Sequence, residues 1–299
     1  MKKRLAGVLD FLLGRNQKKS RAEIGLRVLF EKELSDHLNS KRFLILLILI
    51  CGTGFASFIG LLGPFVGLVL GFDAVNGERN NGTLNRLVAQ PIYRDSVIIG
   101  KFLAGTAVIS LLVCSMGIII GAAGVLSTGL LPETEEVLRI LVFLFYTIVY
   151  IAFWLGLAIL FSVLCRHTAT SAMAVIALWL FFAIFMSLFA NIIANAVYPM
   201  DTQINMLINS LDNYTLELNL NRISPYYLYS EVVSTVMNPA VRSINVVTVS
   251  QLEGAISGYL SFGQSLLLIW PHLVGMLALM LAAFVCSYVG FMRQEIRSS

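Results

Sequence analysis

Charge is what this 299-residue chain has least of. Only 13% of its residues are Asp, Glu, Lys or Arg, against 58% apolar residues and a mean hydropathy of +0.82. A soluble domain carries about a quarter of its residues as charges, so a water-soluble globule is excluded. Histidine is scarce as well: there are three, and none belongs to a His-Glu-x-x-His pattern. The four cysteines, Cys51, Cys114, Cys165 and Cys286, lie singly in or beside apolar runs. No Cys-x-x-Cys or Cys/His ligand spacing appears, so they read as packing thiols, with no metal site and no disulfide framework. A phosphate-binding loop is missing too. Gly100-Lys101-Phe102 lacks both the earlier glycine, where Asp95 stands, and the following Ser or Thr. Nucleotide chemistry, if this chain uses any, has to be supplied by another protein.

What the chain has is long uncharged runs. Phe102–Leu126, Ile140–Leu164, Ser171–Val197 and Ser265–Met292 contain no Asp, Glu, Lys or Arg. Each exceeds the ~20 residues a helix needs to cross the hydrocarbon core. Backbone groups in lipid must bond within their own segment, which makes these runs helices. The fold class is an all-α polytopic membrane protein, with helices expected at about 43–58, 60–74, 101–126, 139–165, 170–198 and 264–292. The first pair is cramped. Phe43 to Phe72 has to hold two short spans with a tight turn around Gly52–Gly63, or a re-entrant pair.

Basic residues set orientation when they flank spans in short loops. Eleven Lys and Arg precede Phe43, four lie from Arg79 to Lys101, one is Arg166, and two are Arg293 and Arg297. With both termini cytoplasmic, eighteen of the 21 fall on one side. Arg139, Arg222 and Arg242 remain on the other, among Glu133, Glu135, Glu136, Asp201, Asp212, Glu217, Glu231 and Glu253. The asymmetry favours an even number of crossings, six, with both ends inside a plasma membrane.

Four regions follow. Residues 1–42 form a basic leader, in which Arg21–Ser40 spaces Ile24, Val28, Phe30, Leu34 and Leu38 as an amphipathic interfacial helix. This segment is either an elbow that docks a partner or a plain membrane-surface anchor. Residues 43–198 carry spans one to five, with a polar cytoplasmic loop at 75–100. Residues 199–263 form an outer loop, too long to lack structure, and are expected to make a small helical cap. Residues 264–299 hold the last span and a basic tail. The match of Asn213-Tyr214-Thr215 to a glycosylation acceptor is too common to carry meaning.

The stretch Asn76–Lys101 holds the chemistry. Asn81-Gly82-Thr83 supplies turn and N-cap residues. Leu84, Leu87 and Val88 then recur at helical spacing until Pro91, and Asp95-Ser96 caps a further helix from about Val97. A helix this short is unstable in water. It is either a solvated loop with local capping or an element seated in another protein's groove. The residues fit the pattern E-x3-GTL-x2-L-x3-P-x2-R-x5-GK, through Glu78, Gly82, Thr83, Leu84, Leu87, Pro91, Arg94, Gly100 and Lys101.

In this pattern, and in its run of basic elbow, six spans, outer loop and basic tail, the chain resembles the permease subunits of type-2 ABC transporters. That group includes drug, antibiotic-peptide and sodium exporters and the permease of nitrous oxide reductase maturation. The resemblance implies a non-catalytic subunit that dimerises with a second permease and binds two copies of an ATP-binding subunit. ATP and Mg would sit on that partner, with no cofactor on this chain. It implies that Thr83–Gln90 is a coupling helix, with Glu78, Gly82, Thr83, Leu84, Leu87, Val88, Pro91, Arg94 and Lys101 as the coupling residues. Arg166 and His167 would form a second contact, facing the ATPase or lipid headgroups. Glu78 would anchor the element by pairing with Arg79, Arg86, Arg94 or a basic residue of the partner, unless it is a solvated charge. One departure stands out, since relatives have a longer outer segment between spans one and two. Lipid is the remaining expected partner, and no nucleic-acid signature appears.

Other polar residues have plainer readings. Asp73 sits at a span edge where it can reach water. His272, after Pro271 in the last run, reads as a satisfied histidine in a kinked helix ahead of a ligand or proton relay. Gly117, Gly121 and Gly124 have close-packing spacing. Two other classes compete with the transport subunit. An integral membrane enzyme lacks any catalytic constellation at membrane depth. An ion-coupled transporter lacks the buried carboxylates that would carry ions.

Overall fold

The computed structural model describes Val28, Phe30–Lys32 and Ser35, then residues 56–82, 93–128, 132–237 and 260–293. Among them every regular element is helical. In chain order these are α1 (Ala56–Gly71), α2 (Asn76–Asn80), α3 (Arg94–Thr128), α4 (Thr134–Leu164), α5 (Thr168–Leu180), a π-helical turn at Phe181–Phe185, α6 (Met186–Val197), α7 (Gln203–Asn221), α8 (Pro225–Met237) and α9 (Phe262–Arg293). Five stretches are long and apolar enough to cross a membrane: Phe58–Asn80, Asp95–Ala122, Thr134–Leu164, Thr168–Val197 and Phe262–Arg293. The protein is therefore a multi-pass helical membrane protein.

Helix α4 is the centre of the bundle, touching α1, α3, α5, α8 and α9. Eight consecutive residues, Val149 to Gly156, are buried. A helix enclosed on one side buries about every third or fourth residue, so unbroken burial means neighbours on all sides. A capping box opens it, with Glu136 accepting from the Glu133 backbone N–H and the Glu133 side chain accepting in return.

Helix α1 departs from expectation. A turn was expected near residue 59, inside Gly52–Gly63, but the chain is continuous helix from Ala56 to Gly71. Any turn that precedes it lies outside the described residues, as do residues 43–55 of the expected first span. Glycine marked a turn in the sequence, yet here it serves contact. Gly63, Gly67 and Gly71 recur every fourth residue along the face against α4. A Cβ on Gly67 would lie 2.7 Å from the Ile151 carbonyl oxygen and from the Leu155 amide nitrogen. One on Gly71 would lie 2.8 Å from the Ala158 Cβ. Such backbone-to-backbone approach is how helices associate where lipid removes the hydrophobic drive. Pro64 stands mid-helix and cannot donate to Gly60, four residues earlier. The Tyr150 hydroxyl takes that carbonyl instead, at 2.7 Å.

Helix α3 starts at Arg94, three residues earlier than expected, so Asp95 and Ser96 occupy its first turn. The span read as 170–198 is one helix with the π turn inside it. A π turn misaligns carbonyls, and Ser224 donates to that of Phe182 at 2.8 Å. Helix α9 runs unbroken through Pro271. The spacing Gly117/Gly121/Gly124 is only partly a packing seam. A Cβ at Gly117 would meet Leu144 at 2.8 Å, whereas Gly121 has open space around it.

Two helices, α7 and α8, fill residues 203–237, where an outer cap was expected. Helix α7 pairs with α6, stapled by Asn213, whose amide donates to Asn195 and to the Tyr198 carbonyl. Helix α8 does not lie over the bundle but is sunk into it against α1, α4 and α9. Tyr229, Val232 and Val236 are all buried. Of the leader helix, Val28, Phe30–Lys32 and Ser35 are helical, with Phe30 against the core and Val28 exposed.

Candidate functional site

The polar loop ahead of α3 is attached to the bundle by a defined contact set. After α1 the chain turns through residues 72–75 into α2. A helix start leaves backbone N–H groups without intrahelical partners, and Val75 offers no side-chain cap. Ser162, near the end of α4, supplies one from outside. Its Oγ accepts from the Val75 N–H at 3.0 Å and the Asn76 N–H at 3.1 Å. The Asn76 side chain is fully buried, its amide nitrogen facing the carbonyls of Ser162 and Cys165. Ser162→Ala leaves two buried donors unmet, which costs about 1–3 kcal/mol. It should lower the melting temperature in detergent while Ser162→Thr largely restores it.

One turn further, Glu78 Oε1 accepts from Lys101 Nζ at 2.8 Å. The lysine side chain is 6% exposed and the glutamate 17%. Glu78 is thus no solvated loop charge. It binds α2 to α3, across the intervening loop. Both residues were singled out in the sequence, but not as partners. They stand 23 positions apart, beyond any helical spacing, so only the tertiary fold joins them. Ser162 and Asn76 carried no sequence signal at all.

The other expected coupling residues divide by position. Gly82 ends the described loop with φ +67, a left-handed conformation that suits glycine at a helix end. Its N–H donates to the Arg79 carbonyl. Arg94 is the first residue of α3. Arg166 and His167 are exposed between α4 and α5, directly after Cys165, and so share this end with α2. Thr83, Leu84, Leu87, Val88 and Pro91, with the expected coupling helix Thr83–Gln90, lie outside the described residues. Asp73 sits in the turn between α1 and α2, where its carbonyl accepts from the Gly77 N–H.

At the opposite end α8 carries a second polar cluster that the sequence did not disclose. Glu231 accepts two bonds from Arg222, at 3.0 and 3.1 Å, and lies 2.7 Å from His272 Nε2. His272 is therefore met at Nε2 by a partner from α8, while its Nδ1 is buried without one among the described residues, so the expected satisfied histidine is satisfied at one nitrogen only. Next to it Tyr229 stacks on Tyr150 at 4.4 Å and bonds Thr147 at 3.0 Å. Arg139, expected at the outer edge of the span 139–165, is buried. It bonds Glu135, the Val236 and Leu260 carbonyls and Ser265.

Burial alone would raise the Glu231 carboxyl, but the bonds from His272 and the Arg222 guanidinium outweigh it and hold the group below the usual range. A depressed folded value gives stability that is present above the ordinary carboxylate pKa of about 4.3 and lost as pH falls through the folded one. Helix α8 should accordingly loosen below about pH 4.3, read as faster cysteine labelling at Val232. Glu231→Gln should flatten that acid dependence.

The fold and its fixed polar ends define a class, a helical membrane bundle with a polar element clamped at one end. The particular family follows from comparison. Residues 50–296 match the model of the ABC-2 family transporter protein, and the chain belongs to that family. It is a membrane component of an ABC transporter. A segment of 130 residues, 42% of the chain, is 30% identical to the "Probable ABC transporter permease protein NosY" of Pseudomonas aeruginosa. The match spans 46% of that relative, about half its length.

Proposed function

We propose that this chain is the permease subunit of an ATP-driven exporter in the plasma membrane, with both termini cytoplasmic. It pairs with a second permease and carries two copies of an ATP-binding subunit, on which ATP and Mg reside. The segment from Gly82 through Pro91, with a coupling helix at Thr83–Gln90, seats in that partner, and Arg166 and His167 lie beside the seat. The Glu78–Lys101 ion pair carries this reading. It ties the chain entering the loop to the helix leaving it, so a push on the loop moves α1 and α3 as one body. Packed interfaces switch between discrete arrangements, and a loop clamped at both roots transmits such a switch.

The purified chain should hydrolyse no ATP by itself and should co-purify with an ATP-binding protein. A crosslinker placed at Arg86 should trap that protein. Leu84→Asp should abolish stimulation of its hydrolysis while membrane insertion stays normal. Hydrolysis by the isolated chain, or normal stimulation in Leu84→Asp, would contradict the reading. The family match favours this over a membrane enzyme or an ion-coupled carrier.

A further inference from the structure

Two cavities at the Arg139 end of the bundle share a wall. The inner one, about 130 Å³, lies between α1, α3 and α4. Its lining is apolar, including Ile59, Leu62, Val113, Met116, Phe143 and Leu144. The outer one, about 710 Å³, is bordered by Glu133, Glu135, Glu136 and Arg139. Ile140 and Met237 line both, so the apolar chamber adjoins the acidic mouth directly.

The two volumes ask for different chemistry. Apolar cavities of roughly this size take small hydrocarbons, so the inner chamber, open at its Ile120–Gly121 edge, suits part of an alkyl tail. Among the described residues the mouth has three carboxylates against one guanidinium. That guanidinium is already occupied by Glu135, two backbone carbonyls and Ser265. Glu136 accepts from the Glu133 backbone N–H. Two negative charges are left over at the rim, which repels a phosphate or carboxylate head and attracts a cation.

We infer that these adjoining cavities form a binding site for a single-chain amphiphile with a cationic head. Its tail lies among Ile59, Val113 and Phe143 and its head among the three glutamates. The inference concerns ligand binding within one subunit and is independent of any coupling to ATP. Gly121 supplies a clean handle. It lines the chamber, and a Cβ there meets nothing within 4 Å, unlike Gly63 and Gly117. A leucine at 121 adds bulk at the chamber's exposed edge without displacing a neighbour.

The test uses full-length protein in nanodiscs of phosphatidylcholine and three photoactivatable C12 probes, an amine, a carboxylate and an alcohol. Labelled peptides are mapped by mass spectrometry. The amine should label the peptides containing Val113–Met116 and Phe143–Leu144 about tenfold more than the carboxylate does. Gly121→Leu should lower that labelling about fivefold at unchanged melting temperature. Glu133→Gln with Glu136→Gln should bring the amine and carboxylate to near parity. Equal labelling by all three probes means bulk bilayer partitioning only and overturns the inference. So does undiminished amine labelling in a folded Gly121→Leu variant. Should that variant not fold, Met237→Trp at the shared wall takes its place, with the same two readings. ATPase stimulation measured on the same variants keeps this outcome separate from the transport proposal.

Discussion

Gly67→Leu should prevent the bundle from assembling. A Cβ at this position lies 2.7 Å from two backbone atoms of α4, the Ile151 oxygen and the Leu155 nitrogen. No rotamer change relieves a collision with backbone, so α1 and α4 must move apart along their whole contact. Overpacking that a core can absorb costs about 1–3 kcal/mol. Here the cost should reach or exceed the top of that range, because α4 is the helix on which every other described span rests. The neighbours give an internal ranking. At Gly63 the nearest atoms belong to the Ile151 side chain, 3.1 Å away, which can shift, so Gly63→Ala should be mild. Gly121→Leu should be harmless to folding. Yield of monodisperse protein on size-exclusion chromatography, with melting in detergent, reads the series. If Gly67→Leu melts with the wild type, the α1–α4 packing described here is wrong.

The second large effect is an asymmetry between removing one charge and removing two. Glu78→Ala leaves the Lys101 ammonium buried at 6% exposure without its carboxylate. Breaking a buried pair in this way costs about 3–5 kcal/mol, whereas replacing both partners with apolar residues is often neutral. Glu78→Ala and Lys101→Met should each lower the melting temperature, and the double variant should recover most of the loss. Insertion, set by the long apolar runs, should stay normal in all three. Coupling should behave differently. If the ion pair is the clamp that moves α1 with α3, the double variant regains stability without regaining stimulation of the partner's ATP hydrolysis. Additive melting losses would show that the two residues do not interact. Full stimulation in the double variant would show that the clamp plays no part in transmission.

The polar ends explain why a polytopic bundle with few charges keeps so many of them paired. Lys101, Arg139 and Glu231 are each held by partners from other helices or from the preceding turn. Lipid has no water to satisfy a charge, so a charge near the bundle either reaches an interface or finds a counter-charge. Glu78 was legible as the one acidic residue of its motif. Its partner was not, because pairing between residues 23 apart depends on the path the chain takes between them. His272 was legible as an anomaly in an apolar run, but the carboxylate that meets its Nε2 sits 41 residues away on a helix that looked like part of an outer cap.

Length and hydropathy alone determined that the chain crosses a membrane as helices, and they placed the last two described spans within two residues and the other three within six. Lipid enforces this, since a backbone without water must bond within its own segment. The meaning of the glycines was decided only in three dimensions. Gly60 and Gly63 have the composition of a turn, yet they are helical, because the absent side chain leaves room for Tyr229 and for α4. The sinking of α8 was likewise a tertiary outcome. Its tyrosines and single glutamate are unremarkable as a string. They become a buried stack and an ion cluster only when Tyr150, Thr147, Arg222 and His272 converge on them, and convergence of distant residues is not written in local spacing.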